Sequence, residues 1–129
     1  MEITGDTNNR NNSDGRKTEP GTRRGIFIPA DNSQPLEVVE LGDYEDYRRR
    51  IDGWLETIPY PGRDDVAPYF DEEGKVKGKD KNARATVLLS PVMFPNDYIA
   101  GDCLLVGFDI ETGEDLDVPE DLVTDLMEV

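Results

Sequence analysis

The chain has no histidine and one cysteine in 129 residues. Without histidine there is no side chain whose ordinary pKa lies near neutrality. That removes the commonest general base, the commonest activator of a serine or cysteine nucleophile and the commonest transition-metal ligand. A single cysteine, Cys103, excludes an internal disulfide framework, and a zinc site with neither a second thiolate nor an imidazole is not expected. Its neighbours Leu104, Leu105 and Val106 make it a buried strand residue rather than a nucleophile. Apolar runs are short, far below the ~20 residues that a membrane-crossing helix needs. The opening Met1-Glu-Ile-Thr-Gly-Asp6 has neither the basic nor the apolar region of a signal peptide, so a cytoplasmic protein is expected. Phosphate-loop patterns are missing too, since Gly74 and Gly78 are separated by charged residues. Cations are also missing from about the last third: after Arg84 there are eleven acids and no Lys or Arg, against 18 acids and 14 bases up to and including it.

What is present is acid. Twenty-nine Asp and Glu against 14 Lys and Arg give a net charge of −15. Such a charge keeps a protein in solution and resists docking on duplex DNA, whose phosphates repel it. It is compatible with a basic protein surface as partner, or with mimicry of nucleic acid. By length the chain is one domain. Residues 1–24 are mostly Asn, Asp, Gly, Thr, Ser and Arg and bury too little apolar surface to offset the entropy of ordering. They read as a disordered tail, leaving 25–129 as a single small α+β domain.

Within that domain, Gly25–Ala30 and Leu36–Leu41 read as a β-hairpin around the turn formers of 31–35, with Pro29 at a strand end. Asp43 is placed to cap a helix in which Tyr44, Tyr47, Ile51, Trp54 and Leu55 share one face, so the helix is expected to reach Leu55. Arg48, Arg49 and Arg50 lie on its polar side, where Glu45, Asp46 and Asp52 neutralise them. Val66–Phe70 reads as an edge strand broken by Pro68, with Lys75–Lys77 pairing back on it across the 71–74 turn. Asn82 is a good cap for a short helix over 83–89, although Thr86–Leu89 also suits a strand. Asp102–Phe108 is apolar enough for a central strand. Asp117-Val-Pro-Glu120 resembles a capping box ahead of a closing helix with Leu122, Val123, Leu126 and Met127 on its apolar face. The expected fold is α+β: a mostly antiparallel sheet of about five strands with two or three helices packed on it.

Two stretches carry candidate chemistry. In Asp71–Thr86 the lysines fall on alternate residues. An extended backbone would put Lys75, Lys77, Lys79 and Lys81 on one face, beside the amide of Asn82 and the guanidinium of Arg84. Lys77, Lys79, Lys81, Asn82 and Arg84 are therefore the candidate site for a small anionic ligand such as a nucleotide. The competing reading is an edge strand protected by lysines. The other stretch is the acidic C-terminal part, where Asp115, Asp117, Glu120, Asp121 and Asp125 are candidate contacts for a basic partner. Asp109, Glu111, Asp117 and Glu120 echo the spacing of a calcium loop. Gly113 stands where its fifth-position ligand belongs and Glu114 where its turn glycine belongs, so a turn followed by a helix cap is the better reading. No catalytic residue, cofactor or metal is expected.

From Gly25 onward the chain resembles a family of small uncharacterised domains found in phages, mobile elements and some bacteria, domain of unknown function 3846. The matching pieces are the opening strand, Gly53-Trp-Leu-Glu56, the Asp71–Gly78 turn, the loop from Asn82 to Thr86 and the block Ile99–Gly107, in that order. The chain departs from the family at Asp52, where a second glycine often precedes Gly53. The resemblance implies a cytosolic accessory protein encoded by a phage. Together with the charge, it yields the expectation of a non-catalytic protein that binds a host macromolecule, as a counter-defence factor or DNA mimic. The alternative is a small-anion binder using the 75–86 loop.

Overall fold

A computed structural model describes residues 21–128. A six-stranded antiparallel sheet carries helices on both faces, the α+β arrangement expected. The strands are β1 (Arg23–Ile28), β2 (Glu37–Leu41), β3 (Leu55–Thr57), β4 (Val66–Asp71), β5 (Cys103–Phe108) and β6 (Asp115–Leu116). They run in the order β2-β1-β5-β4-β3, with β6 pairing the end of β5. The helices are α1 (Tyr44–Ile51), α2 (Ala83–Leu89) and α3 (Glu120–Met127).

β5 is central, between β1 and β4. Its side chains alternate between two cores, which explains why it reads as an unbroken apolar run. Cys103 and Leu105 join Ile26, Ile28, Phe70, Leu89, Ile99 and Leu122 on the face covered by α2 and α3. Leu104 and Val106 join Val39, Leu41, Tyr47 and Ile51 on the face covered by α1.

The β1–β2 hairpin forms as expected but starts earlier. Arg23 and Arg24 are strand residues, paired with Leu41 and Glu40, rather than the end of a tail. The remainder of the expected tail, residues 1–20, lies outside the described residues. α1 is capped by Asp43, whose carboxylate accepts from the Asp46 N–H. The helix stops at Ile51 rather than Leu55, because Asp52 adopts a left-handed conformation (φ 62°) and Gly53 follows. Trp54 is accordingly 60% exposed, under the Arg48 guanidinium at 4.4 Å from its ring centroid, and Leu55 opens β3, a strand that helical periodicity concealed.

β4 is not an edge strand; it lies between β5 and β3, with Pro68 buried inside it. Backbone parity explains how a proline is tolerated there. Phe108 N–H donates to Asp65 C=O and Glu72 N–H to Trp54 C=O, so odd residues of β4 face β5 and even ones face β3. The nitrogen of Pro68 therefore points to the β3 side, beyond Thr57, where the β3 ladder has already ended.

Two further expectations change. Residues 72–78 form successive turns rather than a returning strand, with Lys77 N–H bonded to Glu73 C=O and Lys79 N–H to Gly74 C=O. Asp117 does not cap α3. Its carboxylate accepts from the Arg24 N–H at 2.8 Å, tying the C-terminal segment to β1, and Pro119 precedes the helix.

Candidate functional site

Asp71, the last residue of β4, is the anchor of the 71–84 stretch. Its side chain is fully enclosed, and its Oδ2 accepts from both Lys77 Nζ and Lys79 Nζ at 2.8 Å. Its Oδ1 accepts from the Glu73 N–H. Burial pushes its pKa up, but the two ammonium groups and the backbone donor outweigh burial and bring it down to about 2.

The same two lysines close the C-terminus of α1. Lys77 Nζ donates to Asp52 C=O, and Lys79 Nζ to Ile51 and Asp52 C=O, all within 3.0 Å. Those carbonyls have no intrahelical donor and sit at the negative end of the helix dipole, so two cations there satisfy bonds and charge together. The turns after β4 make this possible. They need Gly74, where an added Cβ would lie 2.4 Å from the Ala100 carbonyl oxygen.

The five residues expected to bind an anion are thus not one site. Lys77 and Lys79 converge, but on Asp71 and α1. Lys81 stands apart, forming a single bridge with Ala100, its ammonium 6.0 Å from the Tyr98 ring centroid. Asn82 is 0% exposed: its Oδ1 accepts from Ala85 N–H as the cap of α2, and its amide donates to Ile28 and Gly101 C=O. No Asn82 donor remains for a ligand. Arg84 turns to the loop after β1, donating to Pro29 and Asp31 C=O. The open groove beside Lys79 is lined by Asp31, Asp52, Asp80 and Asp102, a field that repels anions.

The acidic residues divide as well. Asp115 accepts from the hydroxyls of Tyr47 (2.9 Å) and Tyr69 (3.1 Å), where α1 meets the sheet. Burial, with that carboxylate adding to it, raises both phenols well above the usual tyrosine range. Asp117 is bonded to β1, Glu120 lies 3.6 Å from Arg24, and Asp121 pairs with Arg63. Asp125 is exposed and has no ion pair among the described residues, as is the case for Glu111, Glu114 and Glu128.

Next to Asp71 lies a feature the sequence reading missed. A cleft of about 300 Å³ opens between Glu56 and Ile58 on one side and the 92–98 loop on the other, with Phe70 and Ile99 among its walls. Phe94 at its rim is 84% exposed. Lys75 crosses to Asp97, whose carboxyl is held below the usual range by that hydrogen bond. The signals were an aromatic residue in a loop between Pro91 and Pro95 and the strand-compatible Leu55-Glu-Thr-Ile58, both overshadowed by the lysines.

Cys103 is fully buried, and burial pushes its thiol up to about 12, so it is not poised for nucleophilic chemistry. Among the described residues no helix is long and apolar enough to cross a membrane.

Comparison with known proteins places the fold without assigning chemistry. No curated protein matches the chain. One solved structure, titled as the crystal structure of small RNA methyltransferase HEN1, is similar over 78% of this chain at 17% identity and a TM-score of 0.54. The chain spans only 15% of that protein, and the likeness is one of fold alone. The model of one family, described as a domain of unknown function (DUF3846), matches residues 24–129, from the second residue of β1 to the end of the chain; the chain belongs to that family.

Proposed function

We propose that this chain is a non-catalytic accessory protein of a phage or mobile element, acting in the host cytoplasm by binding a host protein through an anionic surface. One observation carries the reading: among the described residues, most of the cations are paired with carboxylates or carbonyls of the protein, while several acids face solvent unpaired. Lys75, Lys77, Lys79, Arg48, Arg49 and Arg63 are each paired with a carboxylate, and Arg84 with carbonyls. Glu111, Glu114, Asp125 and Glu128, all after the last basic residue, have no such pairing among the described residues. A surface of that kind attracts a basic partner and accelerates its association, and a nucleic-acid-binding protein is a fitting target because an acidic face can stand in for its substrate.

Affinity capture from bacterial lysate tests this, with the intact protein beside a variant carrying Glu111→Gln, Glu114→Gln, Asp125→Asn and Glu128→Gln. The expected result is one or more basic proteins retained by the intact chain, lost from the variant and released by moderate salt. Capture of nothing specific, or the same proteins on both, overturns the reading.

A further inference from the structure

We propose that the cleft beside β3 is the docking site for an extended segment of the partner protein, added to the sheet as a further strand and carrying one large apolar and one basic side chain. This rests on the reading that the chain binds a protein, and it names where and in what form.

β3 ends the strand order, so among the described residues its outer side has no neighbouring strand. Because Glu56 pairs with Phe70 and the Trp54 carbonyl accepts from Glu72, the backbone groups of Trp54 and Glu56 face β4. Those of Leu55 and Thr57 face outward, a donor and an acceptor on each. An added strand would bond to these two residues, and its residue beside Glu56 would project to the same side as Glu56. That side is the cleft.

The cleft is suited to one kind of side chain pair. Phe94 and Val92 are exposed at its rim, and Ile58, Phe70 and Met93 line it, which offers an apolar side chain a seat. Glu56 and Glu72 are exposed on its strand side and have no ion pair among the described residues, whereas Lys75, the one cation lining it, is held by Asp97. The charge left over is negative, which selects a basic residue on the same strand face, two positions from the apolar one, and rejects an acidic segment. β3 has no lysine and no proline within its span, although Pro59 stands just beyond it; its guards are its shortness and the charge of Glu56, which a basic segment satisfies.

The test uses a fluorescein-labelled short peptide of sequence Leu-Thr-Lys-Thr-Leu-Thr-Lys, which puts leucine and lysine on the same strand face, followed by anisotropy against the full chain. Two control peptides accompany it: one of the same sequence with alternate backbone nitrogens methylated, and one with glutamate in place of lysine. Saturable binding of the first and loss with both controls is expected. Phe94→Ser and Glu56→Lys, each checked for native circular dichroism, should weaken binding roughly tenfold. Amide exchange of Leu55 and Thr57 should slow in the complex. Absence of binding overturns the proposal. So does binding indifferent to Phe94→Ser, Glu56→Lys and backbone methylation. If the four-site acid variant alone abolishes binding, the peptide is held by general surface charge. That outcome keeps the anionic-surface reading and removes the cleft from it.

Discussion

Gly53 sits directly over the carboxylate of Asp71: a Cβ built on it would lie 2.4 Å from Asp71 Cγ and 2.5 Å from each carboxylate oxygen. The residue after the left-handed end of α1 thus has to be bare for Asp71 to receive Lys77 and Lys79. Gly53→Ala should destabilise the protein by about 1–3 kcal/mol through this overlap. In the background of Asp71→Ala, which removes the clashing group, the same substitution should cost less. A double-mutant cycle from urea melts checks this, with a coupling of about 1 kcal/mol or more expected and strict additivity counting against the contact.

Asp71→Asn keeps the shape and removes the charge, leaving two partly buried ammonium groups without their carboxylate. A loss of about 2–4 kcal/mol at neutral pH is expected. The pH dependence has a definite sign. The folded carboxyl is depressed to about 2 from an ordinary value of 3.8, so its contribution is complete above that ordinary value and disappears as pH falls through about 2. Melting curves of the wild type and Asp71→Asn, well separated at pH 6, should approach each other between pH 4 and pH 2, conditions set by that shift. A gap that persists unchanged at the acid end would show that the charge is not what Asp71 supplies.

Asp52 holds a φ of 62°, in the region where glycine is unstrained. Its side chain is exposed, and Lys77 and Lys79 use its backbone carbonyl rather than its carboxylate for hydrogen bonding. Asp52→Gly should therefore be neutral or stabilising by up to about 1 kcal/mol, whereas Asp52→Val should cost more than that. Thermal melts of both variants decide it.

Asn82 is the hub between α2, the end of β1 and Gly101. Asn82→Asp retains the cap to Ala85 but strands the carbonyls of Ile28 and Gly101 and buries a charge. It should be at least as damaging as Asn82→Ala, which is itself expected to cost about 2–4 kcal/mol from a lost cap and two buried acceptors. If Asn82→Asp proves harmless, the amide's donors are not needed.

Cys103 should resist iodoacetamide in the native protein and react at the rate of unfolding, because the thiol is enclosed and its ionisation is pushed up to about 12. Fast labelling under native conditions would mean that β5 opens locally.

The strands and caps that were legible in the sequence are those whose signal is local. Asp43 and Asn82 cap helices by bonding backbone three residues on, and β5 announces itself by an apolar run that only burial on both faces explains. What was hidden depends on parity and on distant partners. Trp54 and Leu55 continue the helical period of α1, and only the left-handed Asp52 ends it. Pro68 argues for an edge until one sees on which side its nitrogen falls and that β3 is three residues long. The lysines of 75–81 look like an exposed ladder. Their real partners, Asp71 and the carbonyls of Ile51 and Asp52, are fixed by a turn that their spacing does not encode. The cleft at Phe94 was invisible for the same reason, since its two walls are far apart in the chain.

The proline in β4 also limits how this protein can associate. Past Thr57 the flank of β4 is uncovered by β3, and an ordinary residue at position 68 would present an unpaired backbone donor there. Pro68 withholds it, so strand addition is confined to a few residues at one margin. A strand added on β3 would therefore be short, because the margin beyond it offers no donor on which pairing could propagate.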